Sequence, residues 1–155
     1  MERKTKIIAD DGKQEIIITR EFDLPVNLLF KAYEEPELVE QWMGTKVLKL
    51  ENKQHGGWQF ETSDAQGKVV FRANGVIHEF VPGQKFTRTF QMENTPFDAQ
   101  LEFFRFEAVS DNTSKLTMHI VYKTVALRDQ MVQMGFGPGI NMAHNRLQHA
   151  AEKLK

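Results

Sequence analysis

The sequence predicts an α+β fold: a curved antiparallel β-sheet wrapped around a long C-terminal α-helix, with two short helices after the first strand. Three observations predict it. "KQEIIITREFDLP" is β-branched and runs into a proline, as a strand and its exit do. From Lys46 to Lys123 strand-like runs alternate with turn clusters, which is the spacing of successive hairpins. The remainder, "TVALRDQMVQMGFGPGINMAHNRLQHAAEKLK", carries its apolar residues at helical intervals. A sheet must bury one face, and the terminal helix is the only element large enough to cover it. A sheet curled around one helix leaves space between the two.

Taken in order, residues 1–13 read as flexible or as an edge extension of a single domain spanning 1–155. The first strand follows, leaving through Arg20, Glu21 and Asp23. In "PVNLLFKAYEEPELVEQWMG", Pro25 suits a first helical turn, and Val26, Leu29, Phe30 and Tyr33 fall at helical spacing. Pro36 restarts the chain in a second short helix with Leu38, Val39 and Trp42 apolar, and Gly44 fits its stop. The strands "TKVLKLEN", "WQFETS", "KVVFRANGVIHEFV", "KFTRTFQME", "FDAQLEFFRFEAV" and "KLTMHIVYK" come next. The turns "KQHGG", "DAQG", "PGQ" and "SDNTS" punctuate them. In the terminal segment Ile140, Ala143, Leu147, Ala150 and Leu154 form one stripe, and Leu127, Met131 and Met134 form a second before the glycines.

Composition narrows the chemistry. The chain has 155 residues, enough for one sizeable core. Its 20 Lys+Arg against 21 Asp+Glu give no basic excess, so nucleic acid is not an expected partner. There is no cysteine, which excludes disulfides, thiolate nucleophiles and cysteine-ligated zinc, and which fits a cytoplasmic location. No apolar run reaches membrane-spanning length. The 12 Phe and 7 Met supply adaptable apolar surface for a core or a cavity wall.

The glycine stretch "MGFGPGINM" lacks the Lys-Ser/Thr of a phosphate loop and follows a helix rather than a strand. It reads as a helix break between Met134 and Ile140 that shapes a pocket mouth. Gly135 should be left-handed, Gly137 extended or in a turn, and Pro138 in a new first turn. His55, His78, His119, His144 and His149 show no convergent ligand spacing, so no metal and no cofactor is expected. Ser63, Ser110 and Ser114 sit in no nucleophile elbow, so no catalytic residue is assigned.

These residues resemble a family. "ITREFDLPVNLLFKAYEEPELVEQWMG" is similar to the opening of the activator-of-heat-shock-ATPase homologue-like proteins of the START-like, or SRPBCC, superfamily. The matching positions are Leu24-Pro25, Pro36-Glu37, Leu38 and Trp42. "GGWQFE", "GVIHEFVPGQKFTRTF" and the closing Met131, Gly135, Gly139 and Leu147 continue the resemblance from Ile18 almost to the end. One departure is local: after Trp42 come Met43 and Gly44, where many members have a second tryptophan and a proline. The resemblance implies a helix-grip (START/Bet v-like) fold with a cavity between sheet and helix. Members of the superfamily bind lipids, sterols, polyketides and other apolar ligands. Some are cyclases or hydrolases, and this branch takes its name from a co-chaperone domain.

Together these readings point to non-enzymatic binding of a small apolar or amphipathic ligand. A chaperone-binding domain is the alternative, and a cyclase or hydrolase is the second. A monomer or a homodimer fits equally. The candidate cavity wall is aromatic and sulfur-rich: Trp42, Trp58, Phe60, Phe90, Phe104, Met118, Met131, Met134 and Phe136. Arg72, Arg88 and Arg105 interrupt apolar strands, and such charges either snorkel on the outer face or anchor a ligand inside. Arg72, Arg88 and Glu79, an acid in the "GVIHEF" strand where the family also tends to have one, join the candidate set as polar anchors.

Overall fold

A computed structural model describes residues 3–155. Within the segment 1–13, residues 1 and 2 lie outside the described residues. The rest of that segment contains β1 (Lys6–Ile8), an edge strand paired antiparallel with β2 (Glu15–Phe22). Two helices follow, α1 (Val26–Glu34) and α2 (Pro36–Met43), then β3 (Lys46–Leu50), β4 (Gly57–Ser63), β5 (Val69–Val81), β6 (Lys85–Met92), β7 (Gln100–Ala108) and β8 (Ser114–Val121). The chain ends in α3 (Val125–Gln133) and α4 (Gly137–Glu152). Among the described residues, eight strands make one antiparallel sheet in the order β1-β2-β8-β7-β6-β5-β4-β3. Among the described residues no helix is long and apolar enough to cross a membrane.

The two-residue period of a strand sorts the side chains between faces. Ile16, Ile18 and Phe22 of β2, Leu116, Met118 and Ile120 of β8, and Phe104 and Phe106 of β7 are buried on the inner face. Leu147 and Ala151 of α4 and Leu29 and Phe30 of α1 close over them in one cluster. A smaller cluster, Val39, Trp58, Phe60, Ala73 and Ile77, lies under the other half of the sheet. Register shifts between Val47 and Lys49, Thr62 and Ser63, and Ile77 and Glu79 fall only in that half. Such bulges add twist and bend to the β3–β6 half.

The corner after β2 places α1 and α2 over the end of the groove. Pro25 stands just before α1 in extended geometry (φ −56°, ψ 146°), one residue earlier than a first-turn position. Pro36 opens α2, and Gly44 closes it in left-handed geometry (φ 65°), which costs a glycine nothing. Trp42 is pinned: its indole Nε1 donates to the Ala32 carbonyl at 2.8 Å, and its own carbonyl accepts from Arg146 Nε at 2.9 Å.

The terminal helix is broken where the glycines lie. Thr124 caps α3 by accepting from Leu127 N at 3.0 Å. Met134 ends it and Gly135 reverses the chain at φ +68°. Pro138 sits in the first turn of α4. Gly137 departs from its sequence expectation: it is the first helical residue, and Phe136 before it is already in the right-handed region (φ −70°, ψ −12°). The clash that bars helical geometry before proline involves the preceding Cβ, which glycine lacks. That bare position also accommodates β1, because a Cβ there would stand 3.2 Å from Ile7 Cδ1.

Candidate functional site

Between the sheet and α4 lies a cavity of about 170 Å³. Its walls come from six elements: Tyr33 of α1, Trp42 and Met43 of α2, Arg88 of β6, Phe104 of β7, Met118 of β8, and Ile140, Ala143 and His144 of α4. A wider groove of about 290 Å³ runs outside, between Arg3, Arg20, Asp23, Asn145 and Gln148. Its Arg3 is already bonded to Glu21 and Asp23 at 3.3 and 3.1 Å, and its walls are charged rather than apolar.

The inner cavity is greasy with a polar pole. Arg88 is 8% exposed, and its Nε donates to Glu102 Oε1 at 2.8 Å. Gln100 Nε2 donates to the other Glu102 oxygen at 2.8 Å. The guanidinium lies over Trp58 (4.4 Å to the ring centroid) and Phe104 (4.8 Å). Two stacking partners and a carboxylate leave this side chain little freedom, which is the meaning of a preorganised group. The Tyr33 hydroxyl is pushed above its ordinary pKa, chiefly by removal from water, with Arg88 pulling it down and Glu102 pushing it up. It therefore lies within electrostatic reach of the ion pair and stays protonated.

His144 is 1% exposed, with Nδ1 2.6 Å from Thr5 Oγ1 and its ring edge-on to Phe22 at 5.6 Å. Burial first, and the Arg20 charge second, push its pKa down to about 3, so the imidazole is neutral at physiological pH. The N-terminal arm fixes this face of α4. Thr5 N donates to Asn141 Oδ1 at 2.9 Å, and Arg20 donates to Asn141, to Asn145 and to Thr5 Oγ1.

Of the twelve residues chosen from sequence, Trp42, Arg88, Phe104 and Met118 line the cavity. Trp58 reaches it only as the platform under Arg88 and otherwise packs with Phe60 and Phe90 in the smaller cluster. Met131 is buried in the main cluster and Phe136 packs against it. Met134 is 59% exposed, because the Gly135 reversal turns it outward. Arg72 and Glu79 are on the outer face: Arg72 pairs with Glu61, and Glu79 with Lys85 at 3.4 Å. The bulge after Ile77 shifts parity by one residue, so Phe80 turns inward and Glu79 outward. Sequence reasoning missed Tyr33, Met43, Ile140, Ala143 and His144. Four of the five had a signal: Tyr33 ends the apolar stripe of α1, and Ile140, Ala143 and His144 stand at i, i+3 and i+4 with Leu147 at i+7.

Of the other histidines, His119 faces Glu15 at 3.0 Å and His149 faces Glu152 at 3.2 Å, both at the surface. Among the described residues no three His, Cys, Asp or Glu side chains are grouped to hold a metal ion.

The family model described as activator of Hsp90 ATPase homolog 1-like protein matches residues 23–152. No curated protein matches the chain. Solved structures are similar throughout. A Rhodobacter sphaeroides protein is 16% identical with a TM-score of 0.85, over 98% of this chain and 100% of its own. An Arthrobacter aurescens protein is also 16% identical, with a TM-score of 0.83 over 96% of this chain and 91% of its own. A Mycobacterium smegmatis protein is 19% identical with a TM-score of 0.81, over 93% and 94%. At such identities the likeness is one of fold, and it is the helix-grip architecture with its long C-terminal helix. With most of its length matched by the family model, the chain belongs to the activator of Hsp90 ATPase homolog 1-like family, within the START-like superfamily.

Proposed function

We propose that this protein binds a small apolar or amphipathic molecule, about one ring in size, in the cavity between the sheet and α4. The observation that carries this is the cavity itself: about 170 Å³, walled by Trp42, Met43, Phe104, Met118 and Ile140 around the fixed Arg88. Size sets the ligand class. A dry apolar cavity of about 150 Å³ is known to take benzene, whereas drug-sized ligands need about 300 Å³ or more. Sterols and long lipids are therefore too large for it.

Binding without chemistry fits the polar groups. The Glu102 carboxylate is held by Arg88 and Gln100. His144 stays neutral well below neutral pH. The imidazole is therefore not poised as a general acid or base, for which a pKa near the working pH is needed. The family description supports a second reading, a chaperone-facing surface, for which Val132, Met134 and Met142 are exposed apolar side chains on the terminal helices.

Isopropylbenzene titrated into nitrogen-15-labelled protein tests the first reading. A saturable shift of the Trp42 indole resonance is expected, and Ala143→Leu, which fills the cavity from α4, should abolish it. No shift up to the solubility of the hydrocarbon, or an undiminished shift in Ala143→Leu, would refute the proposal.

A further inference from the structure

Few polar atoms are left over in the cavity, and the charged one among them only donates. Trp42 Nε1 is bonded to the Ala32 carbonyl, and Trp58 Nε1 to the Thr89 carbonyl at 3.0 Å. Arg88 is bonded through Nε alone; among the described residues its terminal nitrogens meet no acceptor. The Tyr33 hydroxyl likewise has no hydrogen-bond partner among the described residues. His144 uses Nδ1 toward Thr5, so Nε2 is the polar atom it brings to the cavity. Arg20 also donates to Thr5 Oγ1 at 3.4 Å, so the arm holds the Nδ1 side of the ring.

We infer that the cavity selects a neutral ring compound bearing a carbonyl-type oxygen, received by the terminal N–H groups of Arg88 beside the Tyr33 hydroxyl. This rests on the ligand-binding reading above. The Arg88 guanidinium donates and never accepts, so it favours a ligand that presents an acceptor to it, and the Tyr33 hydroxyl beside it can donate to the same oxygen. Charge balance favours a neutral one. Arg88 already has its counter-ion in Glu102 at 2.8 Å, so a carboxylate ligand would add an unmatched buried charge. The neighbouring imidazole does not take up a proton to offset it at neutral pH.

Three probes of equal heavy-atom count separate the possibilities: acetophenone, benzoate and isopropylbenzene, titrated by the same Trp42 resonance at pH 7. The variant is Arg88→Met with Glu102→Leu, which removes both charges together and leaves neither stranded. In the natural protein acetophenone should bind at least tenfold more tightly than benzoate. In the double variant acetophenone affinity should fall about tenfold, the worth of a hydrogen bond to a charged donor. Isopropylbenzene should change by less than about twofold. Benzoate binding as tightly as acetophenone, acetophenone unaffected by the variant, or a parallel loss of acetophenone and isopropylbenzene would each overturn the inference. Failure of isopropylbenzene to bind the natural protein would instead overturn the ligand-binding reading beneath it.

Discussion

Glu102→Leu should be among the most destabilising single substitutions available in this chain. The Arg88 and Glu102 side chains are 10% and 5% exposed, and the pair is their common solution to burial. Removing the carboxylate leaves a guanidinium between Trp58 and Phe104 without a counter-charge, and Gln100 Nε2 without its acceptor. Stranding one member of a buried pair costs about 3–5 kcal/mol, whereas replacing both by apolar groups of similar volume is near neutral. The cation–π contacts with the two rings survive the substitution and soften the loss, which places the expectation near the lower end, about 3 kcal/mol. For a chain of this length that corresponds to a fall in melting temperature of roughly 10 °C. Urea unfolding of the natural protein, Glu102→Leu, Arg88→Met and the double variant gives the coupling energy directly. The double variant should recover most of the loss, with an unchanged denaturant slope. A Glu102→Leu cost below about 1 kcal/mol, or a double variant no more stable than the worse single one, would refute a charge-pairing role.

Two further outcomes follow from buried side chains and from glycine. His144 takes a proton at about 3 in the folded protein against 6.5 for the free side chain, so between these values the unfolded chain binds the extra proton. Stability therefore falls as the pH drops through that window, by about 3 kcal/mol at pH 4. In His144→Gln this part of the acid loss should vanish, and pH profiles of unfolding that run parallel would refute the assignment. Gly75→Ala should cost about 3 kcal/mol or more, because overpacking against backbone has no cheap escape. A Cβ there would overlap the Thr89 carbonyl and stand 2.5 Å from Trp58 Nε1. Gly135→Ala, with open space around its Cβ and only its positive φ to object, should cost about 1 kcal/mol; equal losses measured by chemical unfolding would contradict this.

The architecture was readable because its signals are local and redundant. Pro36 and Gly44 bracket α2, the turn clusters separate the strands, and the glycines mark the break in the terminal helix. Which face a strand residue occupies was much less readable. In β7 both parities carry aromatic residues, Phe103 outside and Phe104 inside, and nothing local says that Glu102 rather than Arg105 is the buried charge. In β5 a bulge exchanges the faces partway along, which is why Glu79 was chosen from sequence and lies outside. Arg72 and Arg88 are alike as arginines among apolar neighbours. Their fates differ because Arg88 finds Glu102 across the β6–β7 ladder on the inner face, while Arg72 finds Glu61 on the outer one. Tertiary pairing, not composition, makes that choice.

The sheet order has a temporal side. Every strand from β3 to β8 pairs with its neighbour in sequence, so that half of the sheet can assemble hairpin by hairpin as the chain is made. β2 cannot. Its long ladder runs against β8, and Glu15 meets His119 across 104 residues of chain. The first long strand therefore waits, with its buried edge unpaired, until β8 has been synthesised. Closing so long a loop is entropically costly and slow. During that wait "EIIITREF" is an unpaired β-branched strand, and its protectors are its own charges, Glu15, Arg20 and Glu21, at the ends of the isoleucine run. Arg20 and Glu21, which mark the exit of β2 in the finished fold, thus also disfavour its pairing with neighbouring nascent chains while it waits.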